Sequence, residues 1–185
     1  MTNPSIRLPL LLAAVALSAC AGVASTTADP APNAGGTPLA LPALDSARLL
    51  GDIFRLADDS MAGRATGTAE NAKARAWLVS EFRRIGLAPV GAGYEQPFAF
   101  VRRGAADSTR GANVLGQLSG RTTPGRVIVV SAHYDHVGTR GGEIYNGADD
   151  NASGTAAVLA MAAWFKAHPP AHTIIFALWD GEEMG

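Results

Sequence analysis

The first half of the chain carries hydrophobic side chains at the spacing of one helix face in two segments. In the first segment the apolar positions are Leu49, Ile53, Phe54 and Leu56. The second segment predicts a helix over Ala69–Ile85, with Thr68 as a possible N-cap and Gly86 as its stop. Its buried stripe is expected to contain Ala74, Trp77, Leu78, Phe82 and Ile85. The segment DDSMAGRATGT is predicted to form a turn between these helices, and the folded region is predicted to start near Pro42.

Beyond Pro89 the pattern changes to short strands. The predicted strands cover residues 96–101, 113–118 and 126–131. The last of them, RVIVVS, is a nearly continuous apolar run, which is typical of a strand buried on both faces. A helix over Ser153–Ala167 and a second strand of this buried type over His172–Asp180 follow. Strand, helix and strand at this spacing predict a crossover with parallel strands and therefore an α/β fold.

The first 20 residues have the pattern of a secretion signal, with Arg7, the apolar run Leu8–Leu17 and then LSAC. This run is much shorter than the roughly 20 residues of a membrane-spanning helix. LSAC resembles a bacterial lipobox, in which cleavage precedes Cys20 and its thiol carries a lipid, although an ordinary signal peptide would also fit. We therefore expect a signal peptide over residues 1–19. The mature protein is then expected to be secreted across the bacterial inner membrane and lipid-anchored in the cell envelope, facing the periplasm or on the outer membrane.

Composition separates a tether from a globular region. Residues 20–41 consist mostly of small residues and proline, so they are predicted to be a disordered tether. The 185-residue chain, with 48% hydrophobic and 17% charged residues, is long enough for one domain, which we place over residues 42–185. A net charge of -1 gives no basic surface for nucleic acid. Cys20 is the only cysteine, which excludes an intramolecular disulfide and argues against a thiolate metal site. The oligomeric state stays open.

Three polar clusters fall where an α/β sheet binds ligands. AHYDH (132–136) and DGEEMG (180–185) each follow a predicted buried strand, and GADDN (147–151) precedes the crossover helix. Ligands in open α/β sheets bind beyond the carboxyl ends of the strands. Taken singly, the clusters could be a surface turn, a helix start and a solvated loop. Taken together, imidazole and carboxylates without thiolates suit zinc or a similar divalent ion.

The spacing within these clusters suggests individual roles. His133 can bind a metal through one ring nitrogen while Asp135 accepts a hydrogen bond from the other. Successive side chains of an extended backbone alternate, so one of Glu182 and Glu183 can bind metal while the other acts as a base. One aspartate of the pair Asp149–Asp150 can bridge two metals about 3.5 to 4 Å apart.

Three motifs in order, SAHYDHVG, EIYNGADDNASGTAAVLAMA and IIFALWDGEEMG, closely resemble the zinc exopeptidases of metallopeptidase family twenty-eight. The resemblance runs from about Leu44 to Gly185, and DDSMAGRATGT is similar to the family's opening segment. It implies a three-layer α/β/α zinc-peptidase fold with a mostly parallel central sheet. The family includes bacterial aminopeptidases and, more distantly, glutamate carboxypeptidase and glutaminyl cyclase.

Carried onto this sequence, the resemblance implies a site with two zinc ions. It makes His133 a ligand of one ion, Asp150 the bridge between both and Glu183 a ligand of the second. It makes Glu182 the general base and Asp135 the carboxylate that orients His133. The implied activity is that of an aminopeptidase, which hydrolyses the N-terminal bond of a peptide substrate. Alternatives are a carboxypeptidase, a glutaminyl-cyclase-like enzyme and a non-catalytic lipoprotein with a metal site.

The implied ligand set is incomplete. A catalytic zinc usually has three protein ligands and a water, whereas each ion here would have two protein ligands. Family members supply a further aspartate and histidine beyond the Glu-Glu motif, and this sequence has two residues after Glu183. We therefore expect an N-terminal fragment of a longer catalytic domain, with the C-terminal part missing and little activity alone. His136 is interpreted as a structural or outer-site residue, while His168 and His172 are predicted to lie at the opposite edge of the sheet.

Overall fold

The computed structural model describes residues 44–102, 104 and 106–184. The predicted signal peptide, the tether and Cys20 lie outside these residues. Within them the helices are α1 (Ser46–Leu56), α2 (Ala69–Ile85) and α3 (Ser153–Ala167). The strands are β1 (Ala88–Pro89), β2 (Glu95–Val101), β3 (Ser108–Leu118), β4 (Thr123–His133), β5 (Thr139–Arg140), β6 (Glu143–Ile144) and β7 (His172–Trp179). Short helical turns cover Asp59–Arg64, Ala148–Ala152 and Glu182–Met184.

None of the helices in this part of the chain has the length and hydropathy that crossing a membrane requires. The three helices form a packed group, because α1 and α2 both contact α3. Helices α2 and α3 also pack against the main sheet, and the side chains between them form the hydrophobic core. Its fully buried members include Leu56, Leu78, Phe82, Phe176 and Leu178.

The main sheet contains parallel and antiparallel pairs. Its strand order is β1-β3-β7-β4, with β2 also paired to β3. Strand β3 pairs with β1, β2 and β7 in antiparallel orientation, whereas β4 and β7 run parallel. This parallel pair, connected through α3, confirms the predicted crossover. At its carboxyl end His133 lies opposite Trp179, so the segments that leave β4 and β7 start side by side.

Helix α2 has the predicted bounds, because its signals are local. The Thr68 hydroxyl accepts a hydrogen bond from the Asn71 amide at 3.1 Å, which caps the first turn. Gly86 has φ 82°, the left-handed conformation that ends a helix, and its amide donates to the carbonyls of Phe82 and Arg83. In helix α1 one residue of the predicted apolar face is not buried, because Phe54 is 71% exposed. Asp52 points inward in its place, because positions 49, 52, 53 and 56 share one helix face.

Within the described part of the chain, the strand over residues 126–131 is not buried on both faces, contrary to the prediction. Its apolar side chains Val127, Ile128 and Val129 are 54%, 46% and 54% exposed. Strand β4 stands at the end of the strand order, and β7 is its partner among the described residues. Strand β7 lies between β3 and β4 and does show the predicted burial, with Phe176 and Leu178 inaccessible to solvent. An apolar run therefore indicates a strand here without fixing that strand's place in the sheet.

Candidate metal centre

One side chain from each polar cluster converges at the carboxyl edge of the parallel pair. His133 ends β4, Asp150 lies in the turn before α3, and Glu183 lies in the turn after β7. One potential ligand atom of each residue lies within 4.8 Å of the others, and His133 Nε2 is 3.2 Å from Asp150 Oδ1. An imidazole with two carboxylates is a donor set that zinc accepts. The chemistry and the spacing of these three side chains therefore fit a divalent ion.

His133 is oriented from its other ring nitrogen. Nδ1 lies 3.2 Å from the main-chain carbonyl oxygen of Asp135 and 3.6 Å from the nearer carboxylate oxygen of that residue. The second distance is too long for a hydrogen bond. The main-chain oxygen is therefore the acceptor for Nδ1–H, which leaves Nε2 directed at Asp150. The Thr155 hydroxyl donates to the His133 carbonyl at 2.8 Å and fixes the end of the strand against α3.

The carboxylate of Asp135 holds the Glu182–Glu183 turn. It is fully buried, and it accepts hydrogen bonds from the amides of Glu182 and Glu183, both at 3.2 Å. The Thr66 hydroxyl is a further partner at 3.1 Å. The main chain at Glu182 is thus fixed while its side chain stays exposed to solvent. One carboxylate connects the segment that leaves β4 with the segment that leaves β7.

A second buried carboxylate, Asp180, lies beneath this turn. It accepts hydrogen bonds from the Thr66 hydroxyl, the Asn71 side-chain amide, the Ala112 main-chain amide and the Tyr134 hydroxyl, at 2.9 to 3.0 Å. Burial raises the pKa of Asp135, and the negative charge of nearby Asp180 acts in the same direction. Asp180 is placed at the end of the predicted strand His172–Asp180 without a role of its own, because its partners come from distant segments and give no local signal.

The turn that carries Asp150 depends on its neighbours. The Asn151 side chain accepts from the Gly154 amide at 3.0 Å, and the Ser153 hydroxyl donates to the Asp149 carbonyl at 2.9 Å. Gly147 has φ 56°, and a Cβ there would lie 2.6 Å from the ring of His136. Glycine is therefore required at this position both by the backbone conformation and by the close approach of the ring.

His136 lies nearer the cluster than its interpretation as an outer residue suggests. Its Nδ1 is 2.8 Å from Glu183 Oε1 and 3.9 Å from Asp150 Oδ2. It therefore holds one oxygen of the Glu183 carboxylate. The other two histidines lie where they were predicted. His172 begins β7, and His168 stacks on Trp164 beyond the end of α3, with ring centroids 4.5 Å apart.

The chain is similar in sequence to a known protein family and to curated relatives. Residues 113–185 match the profile described as Peptidase family M28. A probable zinc metalloprotease from Pyrenophora tritici-repentis is 33% identical to the chain over 121 residues. A protein of the same description from Pyricularia oryzae is 35% identical over 122 residues. Each alignment covers 60% of this chain and 24% of the relative, so the chain spans about a quarter of the length of these curated relatives.

Solved structures with the same fold include three enzymes. A zinc-dependent exopeptidase from Parabacteroides distasonis has a TM-score of 0.65 at 21% identity, covering 79% of this chain and 50% of its own. A glutaminyl cyclase from Fimbriiglobus ruber has a TM-score of 0.66 at 24% identity, covering 78% and 47%. A zinc aminopeptidase from Bacillus subtilis has a TM-score of 0.62 at 15% identity, covering 77% and 63%. Likenesses at these identities concern the fold, and they confirm the predicted α/β zinc-peptidase fold.

The chain is therefore similar to zinc metallopeptidases in sequence and in fold, and it has a cluster of carboxylates and an imidazole at its sheet edge. This similarity points to peptidase family M28, whose profile matches residues 113–185 of the chain. The segment that matches the family profile contains His133, Asp135, Asp150, Glu182 and Glu183.

The raised pKa of Asp135 makes a prediction about stability and pH. In the folded protein this carboxyl keeps its proton to a higher pH than in the unfolded chain, where it ionises at about pH 4. The folded state therefore binds more protons above that pH, and the contribution of Asp135 to stability falls as pH rises through its folded pKa. The substitution Asp135→Asn removes this pH-dependent contribution to the free energy of unfolding.

Urea unfolding of the metal-free protein and of Asp135→Asn, followed by tryptophan fluorescence at several values between about pH 4 and pH 7, measures the effect. The free energy of unfolding of the native protein minus that of the variant should be largest at the acidic end and decrease as pH rises. A difference that stays constant, or grows with pH, would contradict this assignment.

Proposed function

We propose that this protein is a zinc aminopeptidase that uses two zinc ions to hydrolyse the N-terminal bond of peptide substrates. The observation that carries the proposal is the convergence of His133, Asp150 and Glu183 within 4.8 Å, with the exposed Glu182 adjoining Glu183. The match of residues 113–185 to the profile of peptidase family M28 supports a hydrolase that acts on peptides. The fold is shared with a zinc aminopeptidase from Bacillus subtilis.

The two carboxylate oxygens of Asp150 have different surroundings, which supports its role as a bridge. Oδ1 lies 3.2 Å from His133 Nε2, whereas Oδ2 lies 3.9 Å from His136 Nδ1, the nitrogen that is 2.8 Å from Glu183 Oε1. His133 and Asp150 would hold one ion, and Asp150 and Glu183 would hold the second. The Asp150 side chain is 63% exposed, compared with 14% for His133 and 18% for Glu183. The bridging carboxylate is thus the ligand most open to solvent and to substrate.

Bound zinc supplies a Lewis acid that polarises the scissile carbonyl and lowers the pKa of water. Glu182 is the base that accepts the proton of the attacking water and later delivers it to the leaving amine. Its exposure lets its carboxylate face water, while the hydrogen bond from its amide to Asp135 keeps the main chain in place. His133 keeps Nε2 directed at the site because Nδ1 is occupied by the Asp135 carbonyl oxygen.

Two substitutions separate catalysis from metal binding. Both are made in the full-length protein. Glu182→Gln removes the base and keeps the metal ligands, so turnover of an aminoacyl anilide should fall about 10² to 10⁴-fold with zinc content unchanged. His133→Ala removes a ligand, so zinc content and turnover should fall together. Zinc content is measured by elemental analysis of the purified protein, and turnover by release of the aniline.

The control is His168→Ala, an exposed histidine beyond the end of α3, which should leave both quantities unchanged. The assignment of Glu182 is wrong if Glu182→Gln turns over substrate at the native rate. The metal site is wrong if His133→Ala retains the native zinc content.

The lipobox-like LSAC supports a proposal about location. We propose that Cys20 carries a lipid and anchors the secreted protein in the bacterial cell envelope. Cys20→Ser removes the thiol, so the protein should move from the membrane fraction to the soluble fraction and should lose incorporation of radiolabelled palmitate. Equal membrane recovery of both proteins after a carbonate wash would contradict the anchor.

A further inference from the structure

The turn between α1 and α2 contains an arginine with no access to solvent. The guanidinium of Arg64 donates through Nε to the Tyr134 carbonyl at 2.9 Å, through Nη1 to the carbonyls of Leu56 and Asn146, each at 2.6 Å, and through Nη2 to the Gly147 carbonyl at 3.0 Å. All four acceptors are main-chain oxygens. The segment that contains this arginine is predicted from the sequence to be a turn, and no sequence pattern indicates a role for the arginine.

Three of these acceptors belong to the segments that present the candidate ligands. Tyr134 stands between His133 and Asp135, and the pair Asn146–Gly147 leads into the turn that carries Asp150. The guanidinium is a rigid planar group whose donors have fixed relative positions. Hydrogen bonds from one such group to both segments therefore set the distance between them, and with it the distance from His133 to Asp150.

The main chain around Arg64 is held in an uncommon conformation. Ala62, Gly63 and Arg64 have φ values of 40°, 70° and 52°, a region that residues other than glycine seldom adopt. A Cβ on Gly63 would lie 2.5 Å from the Tyr145 carbonyl oxygen, so this turn packs directly on the segment that leads to Asp150. Such conformations persist where the surrounding structure imposes them, and they cluster at functional sites.

The charge of Arg64 also suits a role beyond filling space. Burial lowers its pKa to about 10, which leaves it protonated near neutral pH, and the negative charges of Asp135 and Asp150 favour that charged form. Burying a cation is costly, and apolar side chains of similar volume often replace buried ion pairs without loss of stability. A purely space-filling position would therefore not need a guanidinium. Here the positive charge of Arg64 is attracted by the carboxylates of Asp135 and Asp150.

We propose that Arg64 is a positioning residue of the metal centre. It fixes the segment after β4 relative to the segment before α3, so that His133 and Asp150 are held in metal-binding positions in the absence of metal. Its positive charge also offsets part of the negative charge of the carboxylates. This inference rests on the proposed function, in that the cluster must bind a divalent ion.

The test compares Arg64→Met and Arg64→Lys with the native protein and with Leu78→Ala. Leu78 is a fully buried apolar residue of α2, so its truncation lowers stability through the core alone. Zinc affinity is measured by isothermal titration calorimetry, and coordination by the absorption spectrum of the cobalt-substituted protein. Arg64→Met should weaken zinc binding about 10 to 100-fold, the range found when groups that orient metal ligands are removed, and should alter the cobalt spectrum.

Arg64→Lys keeps the positive charge but lacks the planar set of donors, so its zinc affinity should fall between those of the native protein and Arg64→Met, with an altered cobalt spectrum. Leu78→Ala should unfold at lower urea concentration with native zinc affinity and a native spectrum. Arg64 is merely structural if Arg64→Met binds zinc as tightly as Leu78→Ala does. If Arg64→Met does not fold, a native affinity and spectrum for Arg64→Lys overturn the proposal.

The same titrations include His133→Ala, which separates this inference from the function on which it rests. Equal zinc affinity of the native protein and His133→Ala would overturn the metal site itself. Zinc binding that depends on His133 and is unaffected by either Arg64 substitution would overturn the role of Arg64 and leave the metal site standing.

Discussion

The parallel pairing of β4 with β7 is the constraint on which the site depends. Its register sets His133 opposite Trp179, so the segments that follow both strands leave the sheet at the same place. The Asp135 carboxylate then joins them by accepting from the amides of the Glu182–Glu183 turn. The connection between these strands passes through α3, and this brings Asp150 to the same edge. Three segments that are distant in sequence thus contribute to one cluster.

The cluster concentrates negative charge, and the surrounding structure limits the cost of that charge. Asp135 and Asp180 are buried, but each accepts several hydrogen bonds, and the Thr66 hydroxyl lies between them. Buried carboxylates with such partners cost much less than isolated ones. A protonated guanidinium, that of Arg64, lies among the main-chain carbonyls of the same segments. The remaining charge, on Asp150 and Glu183, is directed at the position where a divalent cation is proposed to bind.

The sequence predicted those features whose causes are local or periodic. The bounds of α2 follow from Thr68 and Gly86, and the order of the three polar clusters along the strands indicated where the ligands meet. The exposure of β4 depends on strand order, which an apolar run does not encode. His133 Nδ1–H donates to the main-chain carbonyl of Asp135 rather than to its carboxylate, and the two distances differ by a few tenths of an ångström, which sequence spacing does not resolve. Arg64 was missed because its acceptors are main-chain atoms, which carry no sequence signal.

The central claim is that His133, Asp150 and Glu183 bind the same metal site. Its most direct test is a crystal structure of the protein grown with zinc, with anomalous difference maps collected on both sides of the zinc absorption edge. We expect an anomalous peak at about 2.0 to 2.2 Å from His133 Nε2 and from an oxygen of Asp150, with Glu183 bound to that ion or to a neighbouring one. Zinc bound elsewhere on the protein, with this cluster free of anomalous density, would contradict the account.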